Sequence, residues 1–182
     1  LLNEPQDNLD SDAWNQIFPG VLAAIRETNP ERYVIIGPDL WNGVQQLPTL
    51  ELPADDRRII ATFHYYSPHQ FTHQGAWWAE TGTDEQDIPW GAEADVKTLT
   101  DDFDGALTWS EAEKRPLYIG EFGVYYAAPE ESRIAWLTAV REAAETRGFS
   151  WSAWDFGTDF AIYNLPRRIW REPLLKALIP ES

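Results

Sequence analysis

Short apolar runs alternate with helical patterns along most of this chain, and this alternation limits its fold more than any other feature. The runs are apolar at successive positions, as strands of a parallel sheet are when helices cover both of its faces. Alternating strands and helices of this kind predict an α/β fold built from successive βα units. The predicted strands are residues 33–36, 59–63, 117–119 and 149–154. The predicted helices are residues 11–25, 44–50, 96–114, 134–144 and 173–178.

Several details of these elements can be predicted from single residues. Ser11 is the expected N-cap of the first helix, and Pro19-Gly20 is expected to interrupt that helix. Gly148 stands at the C′ position of the fourth predicted helix. Leu1-Leu2 is expected to be the end of a further strand. The polar and aromatic stretch 65–90 is predicted to be a long loop, and loops of that length are usually functional.

The composition excludes some classes of function. A net charge of −16 argues against binding to nucleic acid or to an anionic membrane surface, because both require a positive face. The chain has no Cys, which excludes disulfides and thiolate metal sites. It has 10 Trp, 7 Tyr and 8 Phe, and such rings stack on sugars as well as filling cores. No repeat or linker interrupts residues 1–182, so we expect one domain or part of one.

Two carboxylates follow predicted strands. Glu4 lies in Asn3-Glu4-Pro5, and Glu121 lies in Gly120-Glu121-Phe122-Gly123. In a βα barrel the carboxyl ends of the strands surround the active site, so both side chains are expected at one opening. A pair of carboxyl groups about 5–5.5 Å apart is what a retaining glycosidase requires. Taken singly, each glutamate is also compatible with a solvated loop carboxylate.

The three histidines, His64, His69 and His73, fall within ten residues and raise the possibility of a zinc site. They are not accompanied by a carboxylate cluster or by an HExxH pattern, so the sequence favours no metal. No phosphate-binding or nucleotide-binding motif is present, and no cofactor is implied.

The order of five motifs resembles the cellulases of glycoside hydrolase family 5. The motifs are Asn3-Glu4-Pro5, Phe63-His64-Tyr65-Tyr66, Phe71-Thr72-His73-Gln74-Gly75-Ala76, Gly120-Glu121-Phe122-Gly123 and Trp151-Ser152-Ala153-Trp154. The resemblance implies that Glu4 is the acid/base and Glu121 the nucleophile. It also implies that Asn3 holds the sugar 2-hydroxyl, that Tyr66 orients the nucleophile, and that His64 contacts the substrate or the carboxylates. Trp154 would be the sugar platform, with Trp41 as a second one.

The resemblance further implies a (β/α)8 TIM barrel of which this chain is the C-terminal half, about strands 4/5 to 8. The chain lacks Met, which we interpret as the mark of a fragment or a processed product. The implied activity is retaining hydrolysis of β-1,4-glucan by double displacement, incomplete without the N-terminal half, in a secreted or periplasmic setting. The alternatives are a glycan-binding remnant and a non-catalytic half-barrel. An open half-barrel has sheet edges, so we expect pairing with the N-terminal half or a homo-oligomer.

Overall fold

The computed structural model describes residues 1–79 and 86–181. Four strands form one sheet in the order β1-β2-β3-β4. β1 pairs with β2 in parallel, with Val34 opposite Ile59. In the described residues, five α-helices and one 3-10 helix accompany these strands, which confirms the predicted α/β class. The strands are β1 (Val34–Ile36), β2 (Ile59–Tyr65), β3 (Leu117–Phe122) and β4 (Ser150–Trp151).

Each predicted helix is present at a similar position, and His69–Thr72 is an additional helix inside the stretch predicted as a loop. The 3-10 helix is Val44–Thr49, and the α-helices are α1 (Ser11–Thr28), α2 (His69–Thr72), α3 (Glu93–Glu113), α4 (Glu130–Thr146) and α5 (Glu172–Leu178). A short antiparallel hairpin, which the sequence did not predict, joins β5 (Tyr163–Asn164) to β6 (Ile169–Trp170). Among the described residues, no helix combines the length and the apolarity that crossing a membrane requires.

The chain divides into two compact units. The first is Leu1–His64 with Asp104–Gly120, and the second is Tyr65–Phe103 with Glu121–Ser182. In the first unit, one face of α1 packs on β1 and β2 through a cluster of Trp14, Phe18, Leu22, Val34, Ile36, Leu50 and Ile59. In the second unit, a smaller cluster joins Ala76, Tyr125 and Phe160.

Helix α1 begins and continues differently from the expectation. Its N-cap is Asp10, whose side chain accepts a hydrogen bond from the amide of Ala13 at 2.9 Å. Ser11 is the first helical residue instead, and its hydroxyl donates to Asp39. The helix also runs through Pro19 without a break. Pro19 is exposed, so the carbonyl that loses its amide partner there can bond to water instead.

Three strand predictions needed correction. Leu1 and Leu2 belong to no strand, because a single hydrogen bond from the Leu1 amino group to Ile35 does not make a ladder. β3 continues through Glu121 to Phe122 rather than ending before it. β4 contains two residues only, and beyond it the Trp154 amide makes a single bond to the Phe122 carbonyl at 2.8 Å.

Two turn predictions can be compared with the structure. Gly148 has a φ of +73° directly after the C-cap residue of α4, which confirms its predicted C′ position. The predicted loop 65–90 contains the one-turn helix α2, and its residues 80–85 lie outside the described residues.

Candidate active site

In the first unit, the predicted acid/base pairs with a histidine near the end of β2. His64 Nδ1 lies 2.8 Å from Oε1 of Glu4. The His64 side chain is nearly buried, at 4% exposure, whereas that of Glu4 is 29% exposed. Glu4 can therefore reach a ligand from solvent while a buried ring holds one of its oxygens.

His64 is held in place by backbone that approaches it closely on two sides. Its amide donates to the carbonyl of Asn42 at 2.7 Å. A Cβ at Gly120 would lie 2.9 Å from His64 Nε2, so a larger residue at position 120 would displace the ring. Gly120 is therefore needed for the imidazole and not only for strand flexibility.

Asn42 owes its position to an unusual turn. Leu40, Trp41 and Asn42 all have positive φ values, between 45° and 61°. Asn42 is 1% exposed, and its side chain fills the space that a Cβ on Gly37 would occupy. Three consecutive left-handed residues other than glycine are rare and costly. The turn brings the Asn42 carbonyl to the end of β2.

A cleft of about 340 Å³ opens beside this pair in the first unit. His64 and Asn42 contribute polar groups to it, and Asn3, the residue predicted to hold a sugar hydroxyl, also lies on its wall. Its lining residues are Leu1, Leu2, Asn3, Ile35, Asn42, Thr62, His64, Tyr118 and Gly120.

In the second unit, the predicted nucleophile has the tyrosine partner that the family resemblance implies. The hydroxyl of Tyr66 donates to Oε2 of Glu121 at 2.9 Å. Both side chains are half-buried. A phenol that donates to a carboxylate oxygen fixes the orientation of that carboxylate.

Tyr66 is itself held by the helix that follows it. The hydroxyl of Thr72 donates to the Tyr66 carbonyl at 2.7 Å, and Thr72 is fully buried. The rings of His73 and Phe160 contact the Tyr66 ring edge to face, at centroid distances of 5.1 and 6.0 Å. This packing restricts the Tyr66 ring and so keeps its hydroxyl within hydrogen-bond distance of Glu121.

His73 is a neutral, buried histidine in this cluster. Burial, with a smaller effect of the neighbouring His69, lowers its pKa to about 3. Thr72 uses its proton for the Tyr66 carbonyl, so it accepts from His73 Nδ1, 2.9 Å away. The rings of His69 and His73 stack with centroids 3.9 Å apart and an 11° angle between planes. Their in-plane nitrogen lone pairs therefore lie in nearly parallel planes, unlike those of two ligands that converge on one metal ion.

The two tryptophans predicted as sugar platforms are both accessible. Trp154 is 46% exposed, in the second unit, and its peptide bond to Asp155 is cis. A Cβ on Gly123 would lie 1.9 Å from the Trp154 carbonyl, so only glycine allows this approach. Trp41 is 52% exposed in the first unit, and its amide bonds to the Pro5 carbonyl at 3.1 Å. Trp41 is not among the residues that line the cleft.

Sequence patterns did not single out three residues that organise the site. Asn42 supports His64, and Thr72 supports Tyr66. Gln74 is fully buried, and its side-chain amide both donates to the Ile88 carbonyl and accepts from the Ile88 amide, which fixes Ile88 beside Gln74. Thr72 and Gln74 lie in a motif that carried the family resemblance, so the motif itself was the available signal.

Comparison with known proteins decides the family. The model of the cellulase family, glycosyl hydrolase family 5, matches residues 1–159. The chain belongs to this family. Endoglucanase H of Acetivibrio thermocellus is 38% identical over 98% of the chain, and endoglucanase C of the same organism is 31% identical over 98%. The chain spans 19% and 59% of the lengths of these two family 5 relatives.

Solved structures agree on the fold. Cel5A of Thermotoga maritima, solved with cellobiose, is 40% identical with a TM-score of 0.95, over 97% of the chain and 57% of Cel5A. The cellulose synthase subunit Z of Clostridioides difficile is 39% identical with a TM-score of 0.94, over 98% of the chain and 60% of that protein. The fold is thus of the (β/α)8-barrel type, and the chain corresponds to part of such a domain.

Proposed function

We propose that this family 5 chain is the C-terminal half of a retaining endo-β-1,4-glucanase, with Glu121 as nucleophile and Glu4 as acid/base. The hydrogen bond from Tyr66 to Glu121 carries the proposal, because it fixes the orientation of the carboxyl group that must attack one anomeric carbon. Family membership and the endoglucanases among its relatives support the same reaction class.

The proposed reaction proceeds in two displacements. The Glu121 carboxylate attacks the anomeric carbon, the bond to the leaving sugar oxygen breaks, and Glu4 gives its proton to that oxygen. The glycosyl group is then an ester of Glu121. In the second step Glu4 takes a proton from water, the water oxygen bonds to the anomeric carbon, and the ester bond breaks. Two inversions leave the product with the original β configuration.

His64 would keep the acid/base ready for its two roles. With Nδ1–H on the imidazole, Oε1 of Glu4 accepts the hydrogen bond, and the proton that the leaving sugar needs is carried on Oε2. When Glu4 has given its proton to the leaving sugar, His64 can donate Nδ1–H to the resulting carboxylate. The buried ring thus supports Glu4 in both protonation states without moving.

The remaining predicted residues have matching roles in the proposal. Asn3 would bind the 2-hydroxyl of the sugar at the cleaved bond. The exposed Trp154 ring would support that sugar, and the exposed Trp41 ring would support another. These assignments rest on the motif positions and on side-chain accessibility.

We also propose that the chain works together with an N-terminal half, in a secreted or periplasmic setting. The chain matches 57–60% of the solved relatives it resembles, and one wall of the cleft beside His64 contains the exposed apolar residues Leu1, Leu2 and Ile35. Self-association into a homo-oligomer is the alternative way to cover that wall. A glycan-binding chain without turnover is the second candidate function, favoured by the exposure of Trp154 and Trp41.

Hydrolysis of barley β-glucan and hydroxyethyl cellulose tests the proposal, with the chain alone and mixed with the part of Cel5A that it does not match. Glu121→Gln and Glu4→Gln should each abolish hydrolysis, whereas Glu130→Gln, an exposed residue of α4, should not change it. Proton NMR of the first product should show the β-anomer. Hydrolysis that survives Glu121→Gln would contradict the mechanism, and binding of β-glucan without hydrolysis under any condition would favour the second candidate.

Assays on mannan alongside glucan would define the substrate. Cel5A has been solved with mannotriose as well as with cellobiose, so both polymers are informative. We expect the higher kcat/KM on glucan.

A further inference from the structure

Trp77 is the most exposed large apolar side chain among the described residues. It is 84% exposed, compared with 45% for its neighbour Trp78. The Trp78 ring packs against His73, Tyr125 and Phe160, whereas within residues 1–79 and 86–181 no aromatic ring packs against Trp77. An indole is among the largest flat apolar surfaces that a residue can offer to a ligand.

The backbone that carries Trp77 is firmly anchored. It lies in a turn closed by a hydrogen bond from the Ala79 amide to the Ala76 carbonyl at 3.1 Å, and the Ala76 amide bonds to His73 at 3.0 Å. Ala76 is fully buried. The preceding residue, Gly75, has a φ of +73°, and a Cβ on it would lie 2.9 Å from the Ala127 side chain, so this position favours glycine. The exposed ring is therefore presented by a fixed turn.

The turn that carries Trp77 packs on the same apolar cluster as Tyr66, the hydrogen-bond partner of the proposed nucleophile. Ala76 and Ala79 pack in the cluster of Tyr125 and Phe160, and Tyr66 packs against the same cluster. Tyr66 is the residue that donates to Glu121. A glycan bound at Glu121 would therefore have the Trp77 ring in the same unit, on a turn that packs against the cluster supporting Tyr66.

We propose that Trp77 is an additional glycan-binding residue that stacks on a sugar ring of a β-1,4-glucan beyond the two rings of the cleaved bond. The inference rests on the proposed function. The hydroxyl groups of β-glucose are equatorial, so both ring faces present C–H groups that suit a flat indole. The net charge of −16 favours a neutral glucan over an acidic polysaccharide.

Oxidative footprinting tests this directly, because the chain has neither Met nor Cys to compete with tryptophan for the oxidant. Limited N-bromosuccinimide treatment should oxidise Trp77 first. Cellohexaose should slow that oxidation at least threefold, and the α-linked maltohexaose should not. Trp170, 43% exposed on β6, is the internal reference and should be unaffected. Tandem mass spectrometry distinguishes Trp77 from Trp78.

Two results of the footprint would overturn the inference. One is an oxidation rate of Trp77 that cellohexaose leaves unchanged. The other is protection that depends on protein concentration without sugar, which would assign the ring to a contact between copies of the chain.

Affinity electrophoresis in a β-glucan gel provides the second measurement. Trp77→Ala should weaken retardation about threefold or more, Trp77→Phe should retain part of it, and Trp170→Ala should match the unmodified chain. If Trp77→Ala is retarded normally while Trp154→Ala is not, this inference fails and the proposed function stands. If neither the unmodified chain nor any variant is retarded, alone or mixed with the part of Cel5A that the chain does not match, both fail.

Discussion

At the scale of single residues, the two proposed catalytic glutamates differ in their hydrogen-bond partners. Glu121 accepts from a phenol, a group that keeps its proton at neutral pH. Glu4 shares a proton with an imidazole, which can both give and accept one. A nucleophile should remain ionised, and an acid/base must change its protonation state twice in each cycle. The neighbours of the two residues therefore fit different roles.

Removing the tyrosine hydroxyl tests this division. Tyr66→Phe should lower kcat roughly 10- to 100-fold, because a hydrogen bond to a charged group contributes about 1.5–3 kcal/mol. KM should change little, since the hydroxyl contacts Glu121. The measurement is hydrolysis of an aryl cellobioside by the chain combined with an N-terminal segment. Tyr163→Phe, on β5, is the matched control, and an unchanged kcat in Tyr66→Phe would refute the assigned role.

The neutral state of His73 predicts a pH dependence of stability. Its pKa is about 3 in the fold, against 6.5 for an ordinary histidine, so below about pH 6.5 only the unfolded chain takes up the proton. Its contribution to the free energy of unfolding is complete above pH 6.5 and should be lost as the pH falls towards 3, by up to about 1.4 kcal/mol per pH unit.

Urea unfolding at pH 7, 6, 5 and 4 measures this effect. His73→Asn keeps a donor near Thr72 but does not titrate, so its stability should fall less steeply with acid than that of the unmodified chain. His69→Asn removes the neighbouring ring and serves as the comparison. Equal pH profiles for His73→Asn and the unmodified chain would show that His73 does not carry the dependence.

At the scale of elements, the turn after β1 depends on one glycine. Gly37→Ala would place a Cβ 1.7 Å from Oδ1 of Asn42, so the turn that supports His64 would have to shift. We expect a loss of about 1–3 kcal/mol in the free energy of unfolding. In an Asn42→Gly background, which removes that side chain and suits the positive φ, the same change should cost much less. A double-mutant cycle by urea denaturation measures the coupling, and purely additive effects would contradict the argument.

In helices α1 and α3, by contrast, a glycine has room for a side chain. A Cβ at Gly20 in α1 or at Gly105 in α3 would meet nothing within 4 Å. Gly20→Ala and Gly105→Ala should therefore each raise the free energy of unfolding by about 0.5–1 kcal/mol, because alanine restricts the unfolded backbone. A decrease in the urea midpoint for either variant would mean that the helix backbone is not as described.

At the scale of the whole molecule, one wall of the cleft beside His64 contains exposed apolar side chains, and we expect a partner to cover this apolar wall. Ile35, in the middle of β1, is 41% exposed although Val34 and Ile36 on either side are buried. Leu1 and Leu2 are also exposed and line the same cleft. An exposed aliphatic residue in the centre of a parallel strand is unusual, because such strands are normally covered on both faces.

We predict association through this wall, either with an N-terminal half or between two copies. Size-exclusion chromatography with light scattering should give twice the mass of one chain, or a one-to-one complex when the N-terminal segment is added. Ile35→Glu should weaken both, whereas Ile17→Glu, on the exposed side of α1, should not. A stable monomer that ignores the added segment at every concentration would exclude the prediction.

Much of the fold followed from patterns local to the chain. The spacing of Trp14, Phe18 and Leu22 predicts α1, and the apolar run 59–63 predicts β2, because each element must bury one stripe or both faces. Where the pattern predicted the wrong extent of an element, solvent or a neighbouring segment determined where that element ends. α1 continues through Pro19 because that side is solvated, and β4 stops at Trp151 because one bond at Trp154 does not extend a ladder.

The sequence by itself determined the family, the class of fold and the carboxylates proposed for catalysis, since all three are carried by residue types in a fixed order. Only the tertiary structure decided the partners of those carboxylates. His64 is 60 residues from Glu4, and Tyr66 is 55 residues from Glu121. Periodicity describes a residue's near neighbours along the chain, whereas a hydrogen bond requires two particular atoms at the right distance and angle. That geometry depends on packing, including the space that Gly37 and Gly120 leave empty.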